Sequence, residues 1–428
     1  MTLVQITKGA QFVNTSSAKI AADDNELQRF VQQTIIDVRQ KGDRALVEYT
    51  SRFDGVELSS LRVSVSDIQS AEQQIEPKTR EIFTQAIKNI RRFHRKQLAK
   101  SWQTTYQDGT TLGEVVTPID RVGIYVPGGK AFYPSTLIMN VLPAQIAGVS
   151  SIAVASPPGK NGLPHELVTG ICGMLGIDEV YSLGGAQAVA ALAFGTKSIP
   201  PVYKITGPGN RFVSEAKRQV FGKVGIDSIA GPSEIVVLHD DPSIPLDYLV
   251  KDLLTQAEHD EDARVMLITT QKEVAAYVQN RLEEIVPTLP RTKIISKSLQ
   301  NNGHIILAEN VLEGIDILNG IAPEHAEILI KDLSLVSKIR NAGAIFIGRW
   351  STETVGDYFA GPNHTIPTNG AARYASPLSV RDFQKHSSLI HYSKERLFHE
   401  GELIAKFAEL EDLPAHADAV RQRMLKEP

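Results

Sequence analysis

A chain of 428 residues with 42% hydrophobic and 22% charged residues is too long for one simple core, and reads as a globular protein of two or more domains. The net charge of −4 is spread without long blocks, which argues against a nucleic-acid-binding patch; the one basic cluster, Arg91-Arg92-Phe93-His94-Arg95-Lys96, reads as an exposed helix face. The single cysteine, Cys172, excludes an intrachain disulfide and a cysteine-based zinc site, and its apolar, helix-like setting predicts a buried, inert thiol. The first ten residues lack the basic-then-apolar pattern of a signal peptide. The most apolar stretch, Leu137 to Ala155, is broken by Pro143, Gln145 and Gly148, so no membrane span is expected and a soluble cytoplasmic protein is.

Residues 1–21 carry little pattern. The spacing of Leu27, Phe30, Val31, Ile35 and Val38 predicts a helix over 23–39, capped by Asp24 and ended by Lys41-Gly42-Asp43. A second helix is expected over 45–53, and two more over 66–97 divided at Pro77; this α-rich stretch must pack on something else. From Arg121 short strands alternate with helices. Strands are predicted at 122–126 (ending in Pro127-Gly128-Gly129), 151–155, 179–183 and 202–205, with helices at 137–147, 164–175, 186–194 and 212–221. The alternation resumes after Gly231-Pro232-Ser233, with strands at 235–238, 265–268 and 304–307, strand-like runs at 327–330 and 344–347, and helices at 246–259 and 272–285. The expected fold is α/β, with two Rossmann-like but incomplete parallel-sheet domains and small helical segments at the two ends; the two similar blocks suggest duplication. The expected division is an N-terminal segment (1–21), a discontinuous first α/β domain (22–124 and 236–377), a second α/β domain (125–235) and a charged, helical C-terminal segment (378–428).

Chemistry can sit in several places. In Asp252-Leu253-Leu254-Thr255-Gln256-Ala257-Glu258-His259-Asp260, an amphipathic helix ends with Gln256 and His259 three residues apart, hence neighbours on one face. An oxygen and an imidazole nitrogen side by side make half of a metal site, against the bland reading of a solvated helix end. Gly184-Gly185 and Gly207-Pro208-Gly209-Asn210 each follow a strand and open a helix, leaving backbone amides free for a phosphate, although neither is Gly-x-Gly-x-x-Gly and both could be plain tight turns. Tyr125 and Gln187 fall at the strand ends where open α/β sheets bind ligands. In Ala322-Pro323-Glu324-His325 the proline suits the first position of a helix, on which Glu324 and His325 would diverge by about 100° and serve two different atoms as acid or base. A surface pair at a helix start is the plainer alternative. The glycine- and proline-punctuated stretch Thr354 to His364 reads as a loop held for a purpose, with an oxygen ligand in Asp357 and a nitrogen in His364. Glu411 and His416 stand near the C-terminus. Chemistry alone does not choose among these histidines.

Taken together and in this order, Tyr125-Val126-Pro127-Gly128-Gly129, Gly207-Pro208-Gly209-Asn210, Ile226-Asp227 with Ala230-Gly231-Pro232-Ser233-Glu234, Gln256-Ala257-Glu258-His259, Ala322-Pro323-Glu324-His325, Gly356-Asp357-Tyr358 with Gly361-Pro362-Asn363-His364, and Glu411 with His416 resemble histidinol dehydrogenase over nearly the whole chain. The departures, Ala326 where leucine is usual and Leu238 where a small residue is more typical, are not at ligand positions. The resemblance implies a zinc enzyme that oxidises L-histidinol to L-histidine in two NAD-dependent steps, the last of histidine biosynthesis. By matching motif, Gln256, His259, Asp357 and His416 would hold zinc; Glu324 and His325 would be the acid–base pair; Tyr125, Gln187 and Asn210 would contact NAD. Ser233, Gln256, His259, His325, Asp357, Glu411 and His416 would surround the substrate. The resemblance also implies that 125–235 is the NAD-binding domain, that the discontinuous domain is catalytic, and that the protein is a homodimer whose C-terminal segment reaches the partner's site. Zinc would then orient the substrate while the pair moves protons. The nearest rival is a same-fold dehydrogenase of another small alcohol, such as a sulfonated diol; Glu411 and His416 favour the imidazole-bearing substrate. A zinc hydrolase leaves the two α/β blocks unexplained, and Glu324-His325 argues against a non-catalytic NAD- or metal-binding protein.

Overall fold

Continuous aliphatic runs such as Ile235-Val236-Val237-Leu238 and Val265-Met266-Leu267-Ile268 are buried on both faces, the setting that parallel strands require. In the computed structural model of the chain, which describes residues 3–9, 11–12, 25–128 and 132–425, these runs form the interiors of parallel sheets. The chain begins with β1 (Gln5–Lys8), then four helices, α1 (Asn25–Lys41), α2 (Asp43–Asp54), α3 (Val65–Gln74) and α4 (Pro77–His94). After β2 (Trp102–Thr105) and β3 (Thr111–Pro118) comes a βα alternation: β4 (Arg121–Tyr125), α5 (Pro134–Ala147), β5 (Ser151–Ser156), α6 (Glu166–Met174), β6 (Val180–Ser182), α7 (Gly185–Phe194), β7 (Lys204–Thr206), α8 (Arg211–Val220) and β8 (Gly225–Ile226). A second alternation follows: β9 (Glu234–His239), α9 (Leu246–Ala257), β10 (Arg264–Thr269), α10 (Lys272–Ile285), α11 (Thr292–Asn302), β11 (Gly303–Leu307), α12 (Val311–Ile321), β12 (His325–Leu329), β13 (Ala344–Ile347) and α13 (Glu353–Tyr358). The chain closes with β14 (Gln384–His391), α14 (Lys394–Leu410) and α15 (Pro414–Met424).

One sheet has the order β6-β5-β4-β7-β8 and the other β1-β11-β10-β9-β12-β13, all parallel. Counted from β4 and from β9, both run third, second, first, fourth, fifth. The two blocks are therefore the same incomplete Rossmann-like unit twice, as the α/β reading expects, and β1 extends the second along its edge. Gly42 (φ 58) separates α1 from α2, and Gly55 (φ 67) ends α2; both positions suit a residue without a Cβ. Asp24, the expected cap of α1, lies outside the described residues, as does Gly129. Cys172 is buried, and burial pushes its thiol pKa up, in keeping with an inert thiol.

The packing departs from the expected grouping of residues 22–124 with 236–377. Val31, Ile35, Val38 and Leu46 share a core with Tyr181 and Val189, and Ile68, Ala86 and Ile90 share one with Leu137 and Ile171. The first four helices thus cover the sheet of residues 121–226. Helical periodicity reveals that each has an apolar stripe but not which surface the stripe meets. The segment after residue 378 holds the expected helices, α14 and α15, but also β14, which pairs antiparallel with β3 in a separate sheet ordered β14-β3-β2. These strands are half-exposed and rich in Thr, Gln and Ser, so they carry no long apolar run. Among the described residues no helix is long and apolar enough to cross a membrane.

Candidate active site

The helix α12 stops at Ala322, which takes a left-handed conformation (φ 53), and after Pro323 and Glu324 the chain enters β12 at His325. The Glu324-His325 pair therefore opens a strand, correcting the expected helix start: residues 325–328 are bound on both sides, by β9 and by β13. Both side chains are buried. Their common anchor is Glu234, at the start of β9. Its backbone N–H donates to Glu324 Oε2 at 2.9 Å, and its carbonyl oxygen lies 3.1 Å from His325 Nδ1. The carbonyl assigns the proton to Nδ1. His325 Nε2 is left buried without a hydrogen-bond partner, 3.8 Å from Asp357 Oδ1. Burial holds the Glu324 pKa well above the usual carboxylate range; the Glu234 N–H opposes this, and the charges of Glu353, Glu234 and Asp357 add to it. Burial lowers His325, with Asp357 opposing.

Asp357 lies in a helix, α13, where a loop is expected, and Glu353 precedes it by four residues on the same face. His259 stands two residues past the end of α9. One ligand atom each from His259, Glu353 and Asp357 lie within 4.8 Å of one another. Gln256 and His259 do not share a helix face as expected, because α9 ends at Ala257 and the His259 N–H turns back to Gln256 O at 3.2 Å. Gln256 is buried, whereas His259 keeps an exposed edge with its ring packed against protein; both meet Glu353. In the orientation that satisfies both groups, the Gln256 amide nitrogen donates to both carboxylate oxygens of Glu353, at 3.0 Å to Oε2. Thr255 Oγ1 donates to the same oxygen at 3.0 Å. Burial pushes Glu353 up to about 8, against the Thr255 hydrogen bond and with the Asp252 charge. Burial likewise pushes Asp357 up to about 7, with His325 opposing and Glu353 adding. The protein packed around His259 lowers its pKa, and the charge of His325 lowers it further. Clustered carboxylates beside a neutral imidazole nitrogen are the donor set that a borderline divalent cation such as zinc suits. Glu353 escaped the sequence reading, although its spacing from Asp357 was the signal for it.

His364 is half-buried with both ring nitrogens engaged, Nδ1 with Asp357 O at 3.0 Å and Nε2 with Thr136 Oγ1 at 3.3 Å, and burial pushes its pKa down to about 4. A cleft of about 370 Å³ opens beside His259, lined by Phe83, Tyr133, Ile138, Glu258 and Tyr358.

At the carboxyl edge of the other sheet, Tyr125 ends β4 and Gly207 follows β7. These are neighbouring strands at the point where the strand order reverses, the usual ligand crevice of such sheets. The Tyr125 hydroxyl accepts from Gly185 N at 3.2 Å, and burial pushes its pKa up to about 12. No side chain caps α7, whose first turn carries the buried Gln187. Asn210 does cap α8, accepting from Phe212 N at 3.0 Å and Val213 N at 3.2 Å. Of the two glycine turns expected to offer free amides, only the one at Gly184-Gly185 leaves its helix start without a side-chain cap.

A family model described as histidinol dehydrogenase matches residues 17–424. The chain belongs to the histidinol dehydrogenase family. It is 50% identical over 408 residues to the histidinol dehydrogenase of Geobacillus kaustophilus, covering 95% of this chain and 96% of the relative. It is 48% identical over 405 residues to that of Bacillus subtilis, covering 94% and 95%. The crystal structure of histidinol dehydrogenase from Elizabethkingia anophelis superposes with a TM-score of 0.93 at 33% identity, over 99% of this chain and 98% of that one. Membership makes the chain an oxidoreductase. For a histidinol dehydrogenase, the residues singled out in the sequence divide in two. Gln256, His259, Glu324, His325 and Asp357 come together, with Ser233 next to Glu234. Glu411 and His416 do not join them: Glu411 is exposed in the turn after α14 and His416 on α15, and among the described residues no hydrogen bond or ion pair ties them to the cluster.

Proposed function

We propose that the chain oxidises L-histidinol to L-histidine in two successive NAD-dependent steps at the end of histidine biosynthesis, with zinc holding the substrate. One observation supports this above the others: His325 Nε2 is buried, unpartnered and 3.8 Å from Asp357 Oδ1, so a base and a candidate ligand face the same space. Gln256, His259 and Asp357 would hold zinc, completed by His416 from a second copy of the chain in a homodimer; Ser233 and the second copy's Glu411 would border the substrate. Tyr125, Gln187 and Asn210, in the unit of residues 125–235, would contact NAD. Zinc would supply coordination that orients the alcohol, and NAD would take up the hydride.

The protein's own part is proton handling. His325 Nε2 takes the hydroxyl proton while its Nδ1–H stays on the Glu234 carbonyl, and Asp357 stabilises the imidazolium. Glu324, with its pKa raised out of the usual carboxylate range, takes a proton from the water that adds to the aldehyde. As the water adds, His325 returns its proton to the aldehyde oxygen and, neutral again, removes a hydroxyl proton of the hydrate in the second oxidation. The buried setting keeps the reactive aldehyde from bulk water between steps. The test is stoichiometry. NADH absorbance should rise by two equivalents per histidinol consumed, vanish with a chelator and return with zinc. One equivalent with release of the aldehyde would overturn the reading.

A further inference from the structure

We propose that the buried ion pair Lys217–Asp227 is a positioning device for the turn Gly207-Pro208-Gly209-Asn210, and that NAD affinity depends on it; this rests on the reading that the turn borders NAD. Lysine is almost never fully buried unless paired. Lys217, on α8, is 1% exposed, and the Asp227 side chain, just past β8, is 4% exposed. The two charges meet, and together they hold both polar backbone groups of one residue. Lys217 Nζ donates to Gly207 O at 3.1 Å, and Gly207 N donates to Asp227 Oδ2 at 2.8 Å.

Gly207 needs such a frame. Its φ of 114° lies where side chains are rarely tolerated, and a Cβ there would collide with the Tyr125 carbonyl oxygen. Only glycine fits, and glycine is the residue least able to hold its own conformation. A buried ion pair is weak evidence of stabilisation, because apolar replacements of similar volume often fold equally well. What apolar replacements cannot do is hold the Gly207 amide and carbonyl. Asp227 also begins the connector that ends at Glu234, and that connector is pinned along its length: Ser214 Oγ donates to Ala230 O at 3.1 Å and Gly231 N donates to Thr368 Oγ1 at 2.6 Å. The ion pair thus sets one end of the segment whose other end anchors Glu324 and His325.

The experiment compares the wild-type protein with the double variant Lys217→Met/Asp227→Leu, titrating NAD alone by calorimetry and measuring both Michaelis constants. The variant should keep a cooperative melting transition, bind NAD about tenfold or more weakly, and raise KM for NAD with KM for histidinol nearly unchanged. NAD affinity equal to wild type, or equal losses for NAD and histidinol, would overturn the proposal. Should the variant not fold, amide hydrogen exchange of the wild-type protein decides. The Gly207 amide should be as protected without NAD as with it; protection appearing only with NAD would show that the pair does not pre-form the turn. A wild-type protein that binds no NAD would instead refute the reading of the turn.

Discussion

With the Gln256 amide oriented so that oxygen and nitrogen both find partners, its nitrogen donates to both oxygens of the Glu353 carboxylate. An amide ligates a metal through oxygen, so a carboxylate that captures the nitrogen leaves the oxygen available to a cation. Glu353 is itself fixed, by the Thr255 hydroxyl and by its own N–H, which donates to Glu327 Oε1 at 2.6 Å. Replacing Glu353 with alanine should weaken zinc binding by about 10- to 100-fold in a chelator-competition titration, with the fold intact. Unchanged zinc affinity would mean that another group orients Gln256.

Because Glu234 grips Glu324 by its N–H and His325 by its carbonyl, the two side chains can be altered separately without moving the backbone that carries them. His325→Asn should slow both oxidations by about 10²–10⁴-fold. Glu324→Gln should spare alcohol oxidation and impair aldehyde oxidation, read by supplying histidinol and histidinal in separate assays. Equal impairment of the two would sink the division of roles.

Burial, reinforced by the Asp252 charge, pushes the Glu327 pKa up to about 9. In the unfolded chain the same group ionises near about 4.3. The folded state therefore keeps a proton that the unfolded state has lost. The stabilisation is complete below the unfolded value and is lost as pH rises through the folded one. The metal-free protein should melt at progressively lower temperature between about pH 5 and pH 9. Glu327→Gln, neutral throughout and still able to accept the Glu353 N–H, should flatten that slope in a thermal scan. Identical slopes would place the effect elsewhere.

Leu403, Phe407 and Leu410 occupy one face of α14 and are 69%, 66% and 83% exposed, immediately before Glu411. An apolar stripe of this kind calls for a covering surface. If this face joins the proposed homodimer, Phe407→Asp with Leu410→Asp should leave monomers in light scattering where the wild-type protein forms dimers, and should abolish activity; equal mass for variant and wild type would place the interface elsewhere. Mixing inactive His259→Ala and His416→Ala subunits should restore part of the activity if each site draws His416 from the other copy; proven mixed dimers without recovery would argue for sites built within one chain.

The sequence by itself determined the central strands of both parallel sheets, because strands buried on both faces must be continuous apolar runs; it missed the exposed edge strand β1 and the two-residue β8, which carry no such run. It also determined the family, through the order of its polar motifs, and so pointed to Gln256, His259, Asp357, Glu324 and His325, which the fold brings together. Tertiary structure decided what depends on distant segments meeting. The antiparallel sheet is held by pairing between residues 111–118 and 384–391, and its half-exposed strands carry no apolar signature. Pro323 suits a helix start in isolation; only the left-handed Ala322 behind it and the strands on either side turn Glu324-His325 into the opening of β12. That Glu411 and His416 make no hydrogen bond or ion pair with their own chain's cluster among the described residues, and that Lys217 and Asp227 close around Gly207, are equally invisible along the chain. The physical reason is the same in each case. Periodicity reports that a side chain is buried or polar, whereas hydrogen-bond direction and the company of buried charges exist only once the chain has closed on itself.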